Sequence, residues 1–179
     1  MKAFVLFAAC CATFTVLAAE QPQPYAGQQT RAIKALSAEE VQGYLAGAGM
    51  GFARVAELNS YPGPMHALEL ADRLGLSAGQ RAALDALMQR HKTEARALGA
   101  VLIAREGELD ALFADRRATA TLVDAKLAEI GAVQARVRGS HLKTHLETTA
   151  LLAPAQIARY DELRGYRGTA APDAHRHAH

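Results

Sequence analysis

The sequence predicts an all-α protein built on a long antiparallel helical hairpin with shorter flanking helices. The segment 78–114 contains no proline and consists mostly of Ala, Leu, Arg, Glu and Gln, which favour helices. A second long helix is predicted over 122–150, after a short connection. No stretch alternates apolar and polar residues over the length of a strand. The 179 residues suit a single domain.

The amino terminus has the layout of a secretory leader. Met1-Lys2 precedes 17 uncharged residues, and small residues close that run before Glu20. This pattern predicts a signal peptide over 1–19 and export to the periplasm. The alternative is an uncleaved membrane anchor, for which 17 residues lie at the lower limit of a bilayer span.

Cysteine and charge counts exclude several function classes. Both cysteines, Cys10 and Cys11, lie inside the predicted leader, so the exported chain can form no disulfide, thiolate metal site or cysteine nucleophile. Such a chain suits an oxidising compartment.

Loss of Lys2 from the 20 basic residues leaves 19 against 18 acidic ones. This balance argues against a nucleic-acid partner, which would require a basic excess.

The residues before the hairpin predict a flexible start and one helix. Residues 20–36 are rich in Gln, Pro and Gly, which favours a flexible segment. Ser37 and Glu40 form a capping box, from which a helix runs to about Asn59. Gly47-Ala48-Gly49-Met50-Gly51 consists of poor helix formers, so either the helix breaks there or a neighbouring backbone packs closely against the glycines.

Turn and capping signals delimit the other elements. A turn is predicted at Tyr61-Pro62-Gly63-Pro64, followed by a short helix over 65–73 that Gly75 ends. A connection over 115–119 separates the two long helices, and either Thr119 or Thr121 caps the second one. The last helix covers 154–164 and is closed by Gly165. The predicted helical domain covers 37–167, and a disordered His-rich tail covers 168–179.

A heptad pattern predicts the contact seam between the two long helices. Its positions on the first helix are 84, 91, 98, 105 and 112, with 88, 95, 102 and 109. On the second helix they are 123, 130, 137 and 144, with 127, 134, 141 and 148. His91 and Arg105 interrupt the apolar positions, and the seam becomes polar beyond Val137.

Histidines come together when the hairpin is folded about residue 117. His91 then falls opposite residue 143, and His141 and His145 share a helix face at i, i+4. Three imidazoles are therefore expected at one level of the hairpin. Further candidates at the same end are Glu94, Glu147 and His66.

Two interpretations of these histidines stay open. In the first, neutral imidazoles bind a divalent transition metal ion, with zinc, copper, nickel and cobalt as the candidates. The ligands would be His66, His91, His141 and His145. In the second, the same residues are half-buried and hydrogen-bonded to their neighbours. The tail residues His175, His177 and His179 either bind metal loosely or have no task.

Two copies of one short motif open helical stretches on either side of the hairpin. They read Leu76-Ser77-Ala78-Gly79-Gln80 and Leu152-Ala153-Pro154-Ala155-Gln156. In the first, Ser77 caps the helix and Gln80 reaches back to the cap residue. In the second, Pro154 takes the first helical position, whereas Ala153 has no capping side chain. The pair resembles the LTxxQ motif of the Spy/CpxP family, carried here by Leu76, Ser77, Gln80, Leu152 and Gln156.

That family comprises periplasmic stress chaperones and heavy-metal-responsive proteins. The resemblance implies a bent hairpin that dimerises into a shallow cradle. It implies an ATP-independent chaperone or envelope-stress adaptor that binds unfolded or misfolded envelope proteins and needs no cofactor. It also implies a homodimer and a membrane-bound signalling partner. The alternative that it implies is a periplasmic heavy-metal sensor or buffer with histidine ligands.

The predicted shape favours client binding over catalysis. A thin helical pair has few residues in a central core, so apolar surface stays exposed. The apolar residues considered first are Met50, Phe52, Leu58 and Tyr61, with core packing as the alternative for each. No enzyme is predicted, because the sequence has no nucleophile elbow, no phosphate-binding glycine loop after a strand and no His-Glu-x-x-His arrangement.

Overall fold

A computed structural model describes residues 23–166 of the chain. The predicted leader (1–19) and the tail histidines at 175, 177 and 179 lie outside the described residues. Within 23–166 the chain is helical and has no strand, which confirms the all-α class. The α-helices are α1 (Ala38–Ala46), α2 (Arg54–Glu57), α3 (Pro64–Glu69), α4 (Ala78–Ala114), α5 (Ala120–Leu151) and α6 (Pro154–Arg164). None of the helices in this part of the chain is long and apolar enough to cross a bilayer.

The chain divides into two compact units, residues 1–30 and 31–179. The described part of the first unit contains one short 3₁₀-helix, Gln28–Thr30, and the Gln28 amide donates to the carbonyl of Pro24 over 3.2 Å. All six α-helices belong to the second unit. Every contact discussed below lies within this second unit.

The two long helices α4 and α5 run in opposite directions. Gln80 contacts Leu151, His91 contacts His141, and Glu108 contacts Lys126, so residue numbers rise along one helix as they fall along the other. Short helices pack against α4 and α5 at the end away from their connection. One apolar cluster there joins α3, α4 and α6, and a second lies between α4 and α5, around Leu102 and Val137.

Helix ends follow the capping signals closely. Ser37 and Ser77 each accept from a backbone N–H three residues on, and the side chains of Glu40 and Gln80 accept from the cap N–H in return. Of the two threonines considered for α5, the cap is Thr119, whose hydroxyl accepts from the N–H of Leu122.

The predicted helix over 37–59 is interrupted at its glycine-rich segment. This is one of the two possibilities that the run of glycines left open, the other being close packing of a neighbouring backbone. The helix ends at Gly47, which adopts the left-handed conformation at φ 65°, and a short helix resumes only at Arg54. Close packing occurs as well, and its tightest point is Gly99 of α4. A Cβ on Gly99 would collide with the carbonyl oxygen of Tyr44, so α1 approaches α4 more closely than any side chain would allow.

The heptad prediction is confirmed at most positions away from the connection and is wrong at others. Arg105 and Leu112 are only half-buried, and Leu127 and Gln134 are exposed. Ten of the predicted positions are buried, namely Leu84, His91, Ala95, Leu98, Leu102, Ile130, Val137, His141, Thr144 and Thr148, and five other residues are buried beside them, namely Leu87, Gly99, Glu106, Val133 and Ser140. On a straight helix, positions seven residues apart drift by about 20° per repeat, so a strict heptad does not stay on one face along the whole helix.

Residues 31–36, which belong to the stretch predicted as flexible, contact α4. Leu36 is buried, and the backbone N–H of Lys34 donates to the Asp110 carboxylate over 3.0 Å. The short helix α3 ends at Glu69, earlier than the expected Arg73, and a turn closes at Gly75 with φ 62°.

Candidate functional site

A cavity of about 420 Å³ lies where the loops around Gly49 and Gly63 meet helices α4 and α5. It brings together the four histidines that the sequence singles out within the described residues. They are His66 from α3, His91 from α4, and His141 and His145 from α5. The cavity also contains three methionines, the carboxylate of Glu57 and the cationic side chains of Arg54 and Lys92.

A chain of hydrogen bonds fixes the protonation of the two buried histidines. Ser140 donates its hydroxyl proton to Glu94 over 3.2 Å, so its oxygen must accept from Nδ1–H of His91, which is 3.2 Å away. Nε2 of His91 is then unprotonated and accepts from Nδ1–H of His141 over 3.1 Å. The last nitrogen of the chain, Nε2 of His141, therefore carries an unprotonated lone pair.

The other two histidines are oriented in the same manner. Nδ1–H of His145 donates to the carbonyl of Tyr61 over 2.7 Å, and Nδ1 of His66 pairs with the carboxylate of Glu69 over 2.9 Å. Each of these contacts engages Nδ1, so Nε2 is the ring nitrogen left for another partner. Metal-binding histidines are commonly held by such a partner on the opposite ring nitrogen. Gly63 makes room for His145, because a Cβ there would lie 3.0 Å or less from the ring.

Burial keeps His91 and His141 neutral. His141 is 5% exposed, and desolvation, followed by the neighbouring imidazoles of His91 and His145, lowers its pKa to about 4. Desolvation also lowers the pKa of His91, although Glu94 opposes part of that effect. Both rings therefore present lone pairs rather than charges at pH 7.

The expected convergence of three imidazoles is seen only in part. His91 and His141 are in direct contact, with ring centres 4.5 Å apart, whereas His145 lies one turn along α5 and bonds to the loop at Tyr61. Glu147 faces away and pairs with Arg90. Over residues 23–166, no three His, Cys, Asp or Glu side chains are close enough together to hold a metal ion.

Glu57 is a central residue of this end that the sequence analysis missed. Its carboxylate accepts from the hydroxyls of Tyr160 (2.5 Å) and Tyr166 (3.1 Å) and lies 3.5 Å from Nε of Arg164. It also lies 3.6 Å from Nδ1 of His145. Glu57 thereby links the cavity to the last helix. Its partners follow it by about 90 to 110 residues, so no local pattern could have identified it.

The two motif glutamines bind each other. Nε2 of Gln80 donates to Oε1 of Gln156 over 2.8 Å, and Nε2 of Gln156 donates back over 3.1 Å. Gln80 also donates to the carbonyl of Leu151, and each Oε1 accepts from the N–H of its own cap residue, Ser77 or Ala153. The paired motifs thus join the start of α4 to the start of α6, while Leu76 and Leu152 are buried beside them.

Most of the apolar residues considered for client contact are exposed. Met50, Leu58 and Tyr61 expose 40% or more of their surface, whereas Phe52 packs on the ring of His141 at 5.5 Å between centres. These three residues belong to a larger set of apolar residues between 45 and 65 that are each at least 40% exposed. The set is called here the apolar strip and consists of Leu45, Met50, Val55, Leu58, Tyr61 and Met65.

Comparisons with protein families, with curated proteins and with solved structures found no match to this chain.

Proposed function

We propose that this chain is an exported, ATP-independent chaperone or envelope-stress adaptor that binds unfolded proteins in the periplasm. The observation that carries the proposal is the apolar strip, which places six large exposed apolar side chains within residues 45–65. Exposed apolar clusters on a small protein commonly mark a surface that binds another chain. The resemblance of the paired glutamine motifs to those of the Spy/CpxP family agrees with this function.

The character of the strip suits many weak contacts. Its members lie on short helices and loops rather than on the long helices, and two of them are methionines, whose flexible side chains adapt to different partners. Arg54 and Lys92 at the neighbouring cavity add positive charge for acidic segments of a client. We include in the proposal the homodimer and the membrane-bound signalling partner that the family resemblance implies.

The test measures light scattering of a denatured client protein with EDTA present and ATP absent. We expect the wild type to suppress aggregation and the triple variant V55S/L58S/Y61S to lose most of that activity. The matched control is F113S/L122S/L127S, which removes three apolar side chains of similar exposure elsewhere. Equal activity of the two variants would contradict a role for the strip, and no suppression by the wild type would end the proposal.

A second candidate function, a periplasmic metal sensor or buffer, is favoured by the histidine cavity. His66, His141 and His145 each have Nδ1 engaged by a protein acceptor, which leaves Nε2 as the nitrogen placed to bind a ligand. An ordinary half-buried histidine needs no such shared orientation, whereas a metal ligand does. Titration with zinc, copper and nickel tests this function, and we expect micromolar or tighter binding that is lost in H141A/H145A. Unchanged binding in that variant would contradict it.

A further inference from the structure

All the methionines that follow Met1 line the histidine cavity. The chain has four methionines, and Met50, Met65 and Met88 come from the glycine loop, from α3 and from α4. A methionine in a folded protein usually fills gaps in an apolar core. Met50 and Met65 are not enclosed in this way, because they are 40% and 47% exposed although both line the cavity.

Met50 occupies an unusual backbone position. It stands between Gly49 and Gly51 with φ 43°, in the left-handed region that a residue with a side chain adopts only at an energetic cost. Glycine or asparagine would fit that conformation better. The Met50 side chain lines the cavity, and its Sδ lies over Gly43 of α1, where a Cβ would be only 2.8 Å away.

The nitrogen donors alone are too few for a closed site of a divalent ion. Zinc takes four ligands in a structural site and three in an open one, and no three His, Cys, Asp or Glu side chains within 23–166 are close enough together. Soft monovalent ions differ, because thioether sulfur is among the ligands that select Cu(I). The cavity has neutral imidazoles and thioethers on its walls, so its donors match a soft ion better than a hard one.

We propose that Met50, Met65 and Met88 supply thioether ligands, together with Nε2 of His141 and His145, to a soft monovalent ion, Cu(I) or its analogue Ag(I). The ion takes as many of these donors as its low coordination number requires. His91 is then a positioning residue, because its Nε2 accepts Nδ1–H of His141 and aims the opposite nitrogen of that ring. This inference rests on the metal-binding function proposed second and names its ion.

The experiment uses the full chain with substitutions that remove competing donors. Every protein carries C10S and C11S, which eliminate the thiols, and H175A, H177A and H179A, which eliminate the tail imidazoles. Cu(I) is titrated under nitrogen against the chromophoric chelator bicinchoninate, and zinc is titrated separately. Circular dichroism establishes that each variant is folded.

The informative variant is M50L/M65L/M88L. Leucine keeps the volume and apolar character of methionine, so the fold and the apolar strip are preserved while the sulfur is lost. We expect this variant to bind Cu(I) at least about tenfold more weakly, with zinc affinity unchanged, and H91A to lose about ten- to a hundredfold. X-ray absorption of the copper-loaded parent should show sulfur beside the metal, which in a chain without cysteine can only be thioether.

Each contrary outcome is decisive. Cu(I) affinity equal to that of the parent in the leucine variant would overturn the thioether ligands. A parent that binds zinc or nickel but not Cu(I) would overturn this inference and leave the metal-binding function intact. A parent that binds none of these ions would overturn both. Client protection by the leucine variant is a separate readout and reports only on the chaperone function.

Discussion

The two halves of the long helical pair are built differently. Between Glu106 and Ile130, a stretch that includes the connection, no residue is buried. This bare half (residues 107–129) is crossed by exposed ion pairs that join Arg105, Glu108, Lys126 and Glu129. The covered half (residues 78–106 and 130–151) packs against the short helices and carries the glutamine pair, the histidine chain and the cavity.

The difference between the two halves shows where hydrogen bonds of fixed geometry are needed to hold the helices together. In the bare half the five-residue connection holds the two helices together, so little else is required there. In the covered half the helix ends are far from that connection, and buried hydrogen bonds with strict geometry hold them instead. Buried polar bonds are costly when broken, whereas exposed ion pairs contribute little. The cavity therefore lies in the half where side-chain positions are most strictly determined.

The largest expected effect is that of G99A in the covered half. The added methyl group meets the carbonyl of Tyr44, and because backbone cannot move aside cheaply we expect a loss of roughly 3 kcal/mol in the free energy of unfolding. The matched control is G131A, where a Cβ meets nothing within 4 Å and a gain of up to about 1 kcal/mol is expected. Urea unfolding measures both, and equal effects would contradict the close approach of α1 and α4.

The second-largest effect is expected from acidification, which should lower the free energy of unfolding through a histidine of the covered half. The pKa of His141 is about 4 in the folded chain and about 6.5 in the unfolded chain, so the unfolded form takes up the proton first. The stabilisation is complete above pH 6.5 and is lost progressively toward pH 4. Between pH 7 and pH 5 we expect a loss of about 2 kcal/mol, measured by urea unfolding in EDTA. The double variant H91Q/H141Q should start less stable and lose much less over that interval.

The glutamine pair should have an intermediate effect. Q80A removes two donated bonds and leaves Gln156 without its partner, so we expect a loss of roughly 1 to 2 kcal/mol, and a similar loss for Q156A. The double variant should lose clearly less than the sum, because the two side chains bind each other. Q134A serves as the control, since Gln134 is exposed and its loss should be small. Simple additivity would contradict the reciprocal pair.

The smallest effect is expected in the bare half. Glu108 is exposed and its partner Lys126 is half-buried at the surface, and K126A should change the urea midpoint only slightly, with the difference disappearing at high salt because solvent-accessible charges are screened. A comparison of K126A and wild type at low and high salt checks this. A large, salt-independent loss would show that the bare half is held more strictly than its exposure indicates.

Local signals predicted the elements well because helix ends are set by neighbouring residues. The limits of α4 and α6 agree with the proline, glycine and capping patterns. The sequence placed residue 143 opposite His91, and the structure places His141 there, so the predicted pairing of the two helices is wrong by less than one turn. The position of Gly99 under Tyr44 and the Glu57 cluster were not predicted. Both depend on how the short helices fold back on the long ones, which no local pattern encodes.

The candidate site was predicted by its histidines and missed by its methionines. His66, His91, His141 and His145 do line one cavity, because i, i+4 spacing and antiparallel pairing restrict where they can lie. Met50, Met65 and Met88 come from three separate elements, and nothing in their spacing relates them. The heptad interpretation failed at Arg105 because positions seven residues apart drift by about 20° per repeat around a straight helix.

The absence of buried residues between Glu106 and Ile130 makes the outer part of the helical pair a spacer of adjustable length. Eighteen residues complete five full turns and return each side chain to the direction it had before, so inserting eighteen residues into each helix, after Glu106 and before Ile130, would move the connection outward by about 27 Å without rotating it. The cavity would keep its walls. The distance from the cavity to the far tip could therefore be changed in whole steps, independently of what the cavity holds.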